Sequence, residues 1–234
     1  MTTDISFVKS ERHKKIIKEI IQCFSKDNEV IGLMLIGSHA RGDAYITSDL
    51  DLLILLKEGL SRSFEASTIN DILVEYKYLD INKARKKLKI NPLEPYQYLD
   101  GRILFDKDGV LQTLVDEALI IYNHYQMDCK ERKAIFHWLY SARIKIYSAV
   151  QSEDYLKAIF ITSTTSYKII EGIWGICNKP VPPAGSVLPH VDDLIDDIPM
   201  IREWIETLYL GTIEERIFKA IDMIDWINNR ILND

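Results

Sequence analysis

The sequence predicts an α+β protein in which a small mixed-sheet domain, residues 1–125, is followed by an all-α helical bundle domain, residues 126–234. Two observations predict the sheet. Residues 30–36 and 50–56 are continuous apolar runs of strand length, and residues 72–80 alternate between apolar and polar side chains. A third observation predicts the bundle, because strand signals disappear after Asp128 and apolar residues then recur every three or four positions.

Composition restricts the class of protein and its partners. The 234 residues carry a formal net charge of -6, which argues against duplex nucleic acid as the main partner, because phosphate backbones attract basic surfaces. Cys23, Cys129 and Cys177 lie far apart without a C-x-x-C motif, so we expect three buried thiols in a reducing compartment. No apolar run reaches the ~18 residues of a membrane span, so a cytoplasmic protein without a membrane partner is expected.

The first half contains further elements between and around these strands. Helical spacing predicts a helix over residues 7–24, with Ser10 as a candidate cap. Residues 58–68 are polar and unpatterned, which favours a loop or a short helix, and Pro92 and Pro95 are expected to break the chain. The remaining predicted elements are a basic helix over 83–89, an edge strand over 102–105 and a helix over 110–125.

The second half reads as helices over residues 128–150, 154–177, 199–209 and 213–232. A proline-rich stretch over 179–185 interrupts them as a stiff loop. Asp192 and Asp193 either attract a polycationic acceptor or lie in the first turn of a helix, where its dipole favours acidic side chains, and the second interpretation is preferred.

The stretch from Leu35 to Leu56 carries the chemistry. Residues two apart in a strand share a face, so Asp49 and Asp51 are expected to point the same way. Two close carboxylates repel each other and need a cation, and a hard ion such as Mg²⁺ or Mn²⁺ suits oxygen ligands. Gly37 allows close backbone approach, Ser38 offers a hydroxyl at a candidate anion site, and Arg41 suits phosphate.

These residues resemble a known family. Gly37-Ser38-His39-Ala40-Arg41-Gly42 followed by Ser48-Asp49-Leu50-Asp51-Leu52 looks like the G-S-x-x-R-G…S-D-x-D-[LI] signature of the DNA polymerase β-type nucleotidyltransferases. The resemblance implies transfer of a nucleoside monophosphate, most simply AMP from ATP, with two Mg²⁺ ions and ATP or another NTP as co-substrate. It also implies a third metal-binding carboxylate on the next strand. Glu75 is the preferred match, and Asp80 is the alternative unless it caps the following helix. Ser48 is expected to orient the carboxylate loop.

The order of elements is similar to that of the kanamycin and related aminoglycoside nucleotidyltransferases, where a helical half follows the α/β half. This resemblance implies a small hydroxylated acceptor such as an antibiotic. Apolar surface on the bundle is compatible with a homodimer. Those enzymes carry a glutamate base on the first helix of the helical half, but residues 135–150 contain no carboxylate. His137 is the candidate base near that place, and a half-buried structural histidine beside Trp138 is the preferred alternative. Two other functions stay open, namely adenylylation of a partner protein, as in toxin-antitoxin pairs, and a non-catalytic nucleotide-binding module.

Overall fold

The apolar runs of the first half form the centre of a five-stranded sheet. The structure, a computed structural model, describes residues 4–233 and divides into two compact units, Met1–His124 and Tyr125–Asp234. The first unit contains, in chain order, α1 (Glu11–Phe24), β1 (Val30–Ile36), α2 (Gly37–Arg41), β2 (Leu50–Leu56), β3 (Glu65–Ile69), β4 (Ile72–Asp80), α3 (Ile81–Ile90), α4 (Glu94–Leu99), β5 (Arg102–Asp106) and α5 (Val110–Asn123). The predicted α+β class is confirmed.

The sheet is mixed, with the strand order β3-β4-β2-β1-β5. The central pair β2 and β4 is parallel, whereas β1 runs antiparallel to both β2 and β5, and β3 runs antiparallel to β4. The central strands β1 and β2 are nearly continuous in apolar residues because both of their faces are covered.

Helices cover the two faces of this sheet. Isoleucines of α1, among them Ile16 and Ile17, pack on the face that carries Leu52 and Ile54. Residues of α3, α4 and α5 pack on the opposite face, which carries Leu53 and Leu55. The alternation of β2 therefore directs Asp51 to the same face as Leu53, at the end of the strand.

Strand β3 corrects the prediction of a loop or short helix over residues 58–68. Its residues are almost all exposed, so no apolar pattern marks it in the sequence. It exists because it pairs with β4 through a tight hairpin, in which Asn70 and Asp71 adopt positive φ angles of 51° and 58°. Such left-handed positions favour Asn and Asp, and they suit the twist of a two-residue hairpin.

The expectation of buried cysteines was wrong, and the expectation for Pro95 was incomplete. Cys23 is exposed rather than buried, as is Cys129 in the second unit, and Cys177 is only half-buried, because the core sides of their helices are filled by larger apolar residues. Pro95 does not simply break the chain. It occupies the first turn of α4, where the missing N–H of proline costs no helical hydrogen bond.

The second unit is a helical bundle made of α6 (Cys129–Gln151), α7 (Tyr155–Ile176), a short 3-10 helix (Ala184–Ser186), a longer one (Leu188–Leu194), α8 (Ile201–Leu210) and α9 (Ile213–Asn233). Its core surrounds Trp174 of α7, which is fully buried among isoleucines of the neighbouring helices. Within residues 4–233 no helix combines the length and the apolar character needed to cross a membrane.

Asp192 and Asp193 do not lie in the first turn of a helix, contrary to the preferred prediction. They occupy the end of the longer 3-10 helix, where a helix dipole offers them nothing. Both carboxylates have side-chain partners, since Arg202 pairs with Asp192 and His190 Nδ1 lies 2.8 Å from Asp193 Oδ2.

Candidate active site

The strand register brings the two best carboxylate candidates together. Asp51 is paired with Glu75 across the parallel strands β2 and β4, and with Ile36 at the end of β1 across the antiparallel pair. Residues paired in register project from the same face of a sheet, and adjacent strands lie about 4.8 Å apart. The Asp51 and Glu75 side chains are 20% and 26% exposed, so both reach solvent from a sheltered position.

The carboxylates of Asp51 and Glu75 interact electrostatically. Burial raises the pKa of the Glu75 carboxyl above its ordinary value, and the negative charge of Asp51 raises it further, with a smaller contribution from Asp49. Asp49 directly precedes β2, two residues from Asp51. Burial is the largest part of the cost of ionising Glu75, and the neighbouring negative charges add to it; a cation would offset the part due to those charges.

The donor set suits a hard divalent ion, although the ligands are not yet gathered around one point. Among residues 4–233 no group of three His, Cys, Asp or Glu side chains is already arranged to hold a metal. Instead the Lys77 ammonium lies 3.0 Å from Asp51 Oδ1 and 3.9 Å from Glu75 Oε2. A positive group is therefore accommodated between these two carboxylates, as a Mg²⁺ site built from their oxygens requires.

Gly37 lies directly against Asp51. Its φ is +71°, and a Cβ at this position would approach Asp51 Oδ2 to 2.4 Å. Both facts demand glycine, since other residues disfavour this backbone region and no side-chain atom fits. The turn that follows is a five-residue helix containing Ser38, closed by Gly42, whose N–H donates to the Ser38 carbonyl at 2.9 Å.

Arg41 is engaged by two carboxylates. Its Nε donates to Asp43 Oδ1 at 3.1 Å, and its Nη1 lies 3.8 Å from Asp100 Oδ2. Only 13% of the Arg41 side chain is exposed, so these contacts fix its position beside the turn. Contact of Arg41 with a phosphate stays a prediction.

Ser48 anchors the loop that leads into Asp49. Its hydroxyl accepts a hydrogen bond from the Tyr45 N–H at 2.9 Å, and its carbonyl accepts one from His13 Nε2 at 3.0 Å. Because the carbonyl only accepts, Nε2 of a neutral His13 carries the proton, and Nδ1 accepts from the Ser10 hydroxyl at 2.8 Å. Ser10 also caps α1, as predicted, so the start of α1 and the carboxylate loop are tied together.

Sequence reasoning missed this histidine pair. The buried rings of His13 and His39 lie 4.2 Å apart. Burial lowers the pKa of His39 below its ordinary value, and the neighbouring His13 lowers it further. His39 stands inside the signature, which could have drawn attention to it, but nothing local in the sequence connects His13 with Ser48.

Asp80 and His137 each had two predicted roles, and the structure shows the surroundings of both residues. Asp80 is buried and caps α3, with its Oδ1 accepting from the Lys83 N–H at 2.9 Å. His137 lies on α6 in the second unit and is exposed rather than half-buried, and the neighbouring Trp138 is 57% exposed. The core side of α6 is formed by other residues of the helix, so packing does not hold this imidazole.

Glu131 is a carboxylate on α6, one turn before residues 135–150. Both of its carboxylate oxygens lie 3.3 Å from the Tyr125 hydroxyl, which donates to them. Burial raises the pKa of Glu131 above its ordinary value. The sequence prediction of a base concerns residues 135–150 and therefore does not include it.

Comparison with known proteins agrees with this geometry. A family model described as a nucleotidyltransferase domain matches residues 17–135, just over half of the chain. The chain therefore belongs to the nucleotidyltransferase domain family, and it is a nucleotidyltransferase, an enzyme that transfers a nucleoside monophosphate.

Comparison with curated proteins found no match. Among solved structures 11 chains match. One is a nucleotidyltransferase-like protein from Exiguobacterium sibiricum 255-15, with 15% sequence identity and a TM-score of 0.48, and the match covers 93% of this chain and 74% of that chain.

Proposed function

We propose that the enzyme transfers AMP from ATP to a hydroxyl group of a small molecule and releases pyrophosphate in a Mg²⁺-dependent reaction. The observation that carries the proposal is the register of Asp51 with Glu75, one strand away from the Gly37 turn. In this reaction the acceptor oxygen forms a bond to the α-phosphorus, and the bond from the α-phosphorus to the bridging oxygen breaks. The hydroxyl proton passes to a base, and pyrophosphate leaves with the electron pair.

Asp49, Asp51 and Glu75 would hold the metal, with two ions expected. When bound, Mg²⁺ lowers the pKa of the acceptor hydroxyl and neutralises charge on the leaving pyrophosphate. The environment of Glu75 supports this assignment, because burial and then the negative charges of Asp51 and Asp49 raise its pKa, and a bound cation would favour its ionised form.

Gly37 and Ser38 would contact the triphosphate. The absence of a Cβ at Gly37 lets the backbone approach Asp51 closely, so a phosphate beside this carboxylate would lie close to the turn. Arg41 would act on the phosphates from its fixed position, and Ser48 would hold the carboxylate loop through its contacts with Tyr45 and His13.

The helical unit would select the acceptor. It contains a cavity of about 510 Å³ lined by apolar residues together with polar groups such as Tyr167, Arg202 and Glu206. Pockets for small molecules span roughly 300–1,000 Å³ and have this mixture of walls, which favours a small acceptor, such as an antibiotic, over a protein. His137 stays the predicted candidate for the base that takes the acceptor proton.

The test is transfer of label from ATP in the presence of a panel of hydroxylated compounds, aminoglycosides included. Label from α-³²P-ATP should enter the acceptor, and label from γ-³²P-ATP should leave as pyrophosphate. Asp51→Asn should lower the rate by roughly 10³-fold or more, because it removes charge from the metal site. Asp71→Asn is the matched control at the exposed β3–β4 turn and should keep full activity. Undiminished transfer by Asp51→Asn would refute the mechanism.

The same assay separates the rival functions. Incubation of a lysate with α-³²P-ATP would give a labelled protein band if the acceptor is a protein. A non-catalytic nucleotide-binding module would release no pyrophosphate with any acceptor, although it would bind ATP.

A further inference from the structure

Lys77 occupies the position between two of the carboxylates assigned to the metal. It follows Glu75 by two residues on β4, so both side chains leave the same face of the sheet. Its ammonium lies 3.0 Å from Asp51 Oδ1 and 3.9 Å from Glu75 Oε2. The lysine side chain is 42% exposed, more than either carboxylate, so it can leave without opening the core.

Solvent is open to the Lys77 ammonium, because 42% of its side chain is exposed. A lysine that leaves Asp51 can therefore be hydrated, and no buried partner is needed to receive it.

A lysine ammonium and a divalent ion satisfy the same carboxylates in different ways. The ammonium is a compact single charge that donates hydrogen bonds, whereas the ion carries two charges and accepts oxygen lone pairs at about 2.1 Å. An ammonium and a divalent ion beside the same Asp51 oxygen repel each other, although the oxygen has two lone pairs. Binding of the ion at this oxygen therefore weakens the Lys77 contact and favours its release.

We propose that Lys77 is the resident counter-ion of the metal site, which holds Asp51 and Glu75 together before the metal binds and is displaced into solvent when it does. The proposal rests on the metal site of the proposed function. It makes Lys77 a positioning residue that competes with the metal, and it explains how two close carboxylates are tolerated in the metal-free enzyme.

The first test measures Mn²⁺ affinity by electron paramagnetic resonance in the wild-type protein, Lys77→Met and Lys77→Arg. Lys77→Met lacks the competing charge. It should therefore bind Mn²⁺ about fivefold more tightly than the wild type, as expected for loss of a partly exposed ion pair. The same variant, treated with chelator at neutral pH, should melt at a lower temperature than the wild type. Lys77→Arg keeps the charge and should retain both wild-type properties. Lys86→Met, on the exposed side of α3, is the control for loss of a lysine and should behave like the wild type.

A second measurement detects the displacement itself. Acylation of lysines by an N-hydroxysuccinimide ester, read by peptide mass spectrometry, should increase at Lys77 when Mn²⁺ is added and stay constant at Lys86. Equal Mn²⁺ affinity of the wild type and Lys77→Met, or constant acylation of Lys77 at saturating Mn²⁺, would overturn the role of Lys77 and leave the metal site intact. If neither protein binds Mn²⁺, the metal site and the competition both fail.

Discussion

Replacement of Gly37 by alanine tests the geometry of the site at its tightest point. The new Cβ would lie 2.4 Å from Asp51 Oδ2, whereas ordinary contact begins near 3.4 Å. The carboxylate must therefore move by about 1 Å, because Gly37 is the first residue of α2 and directly follows β1, so both elements hold its backbone.

Two separate costs follow from this substitution. Alanine at φ +71° is disfavoured by about 1–2 kcal/mol, which lowers stability. Displacement of a catalytic group by about 1 Å costs on the order of 10²-fold in rate. We expect Gly37→Ala to lose both stability and transfer rate.

Gly109 provides the matched control. It has the same φ of +71°, and a Cβ there would meet nothing within 4 Å. Gly109→Ala should therefore show the conformational cost and keep the transfer rate. All four tryptophans lie in the second unit, so stability of the first unit is best followed by hydrogen exchange of peptides covering β2. A Gly37→Ala variant as active as Gly109→Ala would show that the position of Asp51 does not control the reaction.

Two further predictions concern pH. The raised pKa of Glu75 means that the folded metal-free protein binds more protons than the unfolded chain above the ordinary value of 4.5, so its ionisation opposes folding as pH rises. Glu75→Gln should therefore melt at a higher temperature than the wild type at pH 7 in chelator, with no difference below about pH 4. The variant should also lack transferase activity. Equal melting temperatures at pH 7 would contradict the raised pKa of Glu75. The lowered pKa of His39 has the opposite consequence, since protonation favours the unfolded chain as pH falls below its ordinary value of 6.5. Thermal melts at a series of pH values should show that His39→Asn loses less stability than the wild type below this pH. Parallel curves of melting temperature against pH would show that His39 does not cause the loss of stability in acid.

The central strands, and the positions of Asp51 and Glu75 on them, could be predicted because their signals are local. The alternation of β4 gave its bounds, Ile72–Asp80, and placed Glu75 and Lys77 on one face. The apolar runs gave β1 and β2 because both faces of these strands are covered. Strand β3 gave no such signal, since it forms by pairing with β4 and its side chains stay in solvent.

The contacts that the sequence could not give are those between distant segments. Lys77 reaches Asp51 only because β2 and β4 are parallel and in that register. His13 reaches Ser48 only because α1 packs beside the carboxylate loop. Spacing along one strand predicts which side chains share a face, but it does not specify which strand lies next to it.

The most direct test of the central claim is a crystal structure with Mn²⁺ and a non-hydrolysable ATP analogue, with the metal located by its anomalous scattering. The predicted result is Mn²⁺ within about 2.5 Å of carboxylate oxygens from Asp49, Asp51 and Glu75, and the analogue's phosphates beside Gly37 and Ser38. Mn²⁺ bound elsewhere, with Lys77 still against Asp51, would contradict the claim.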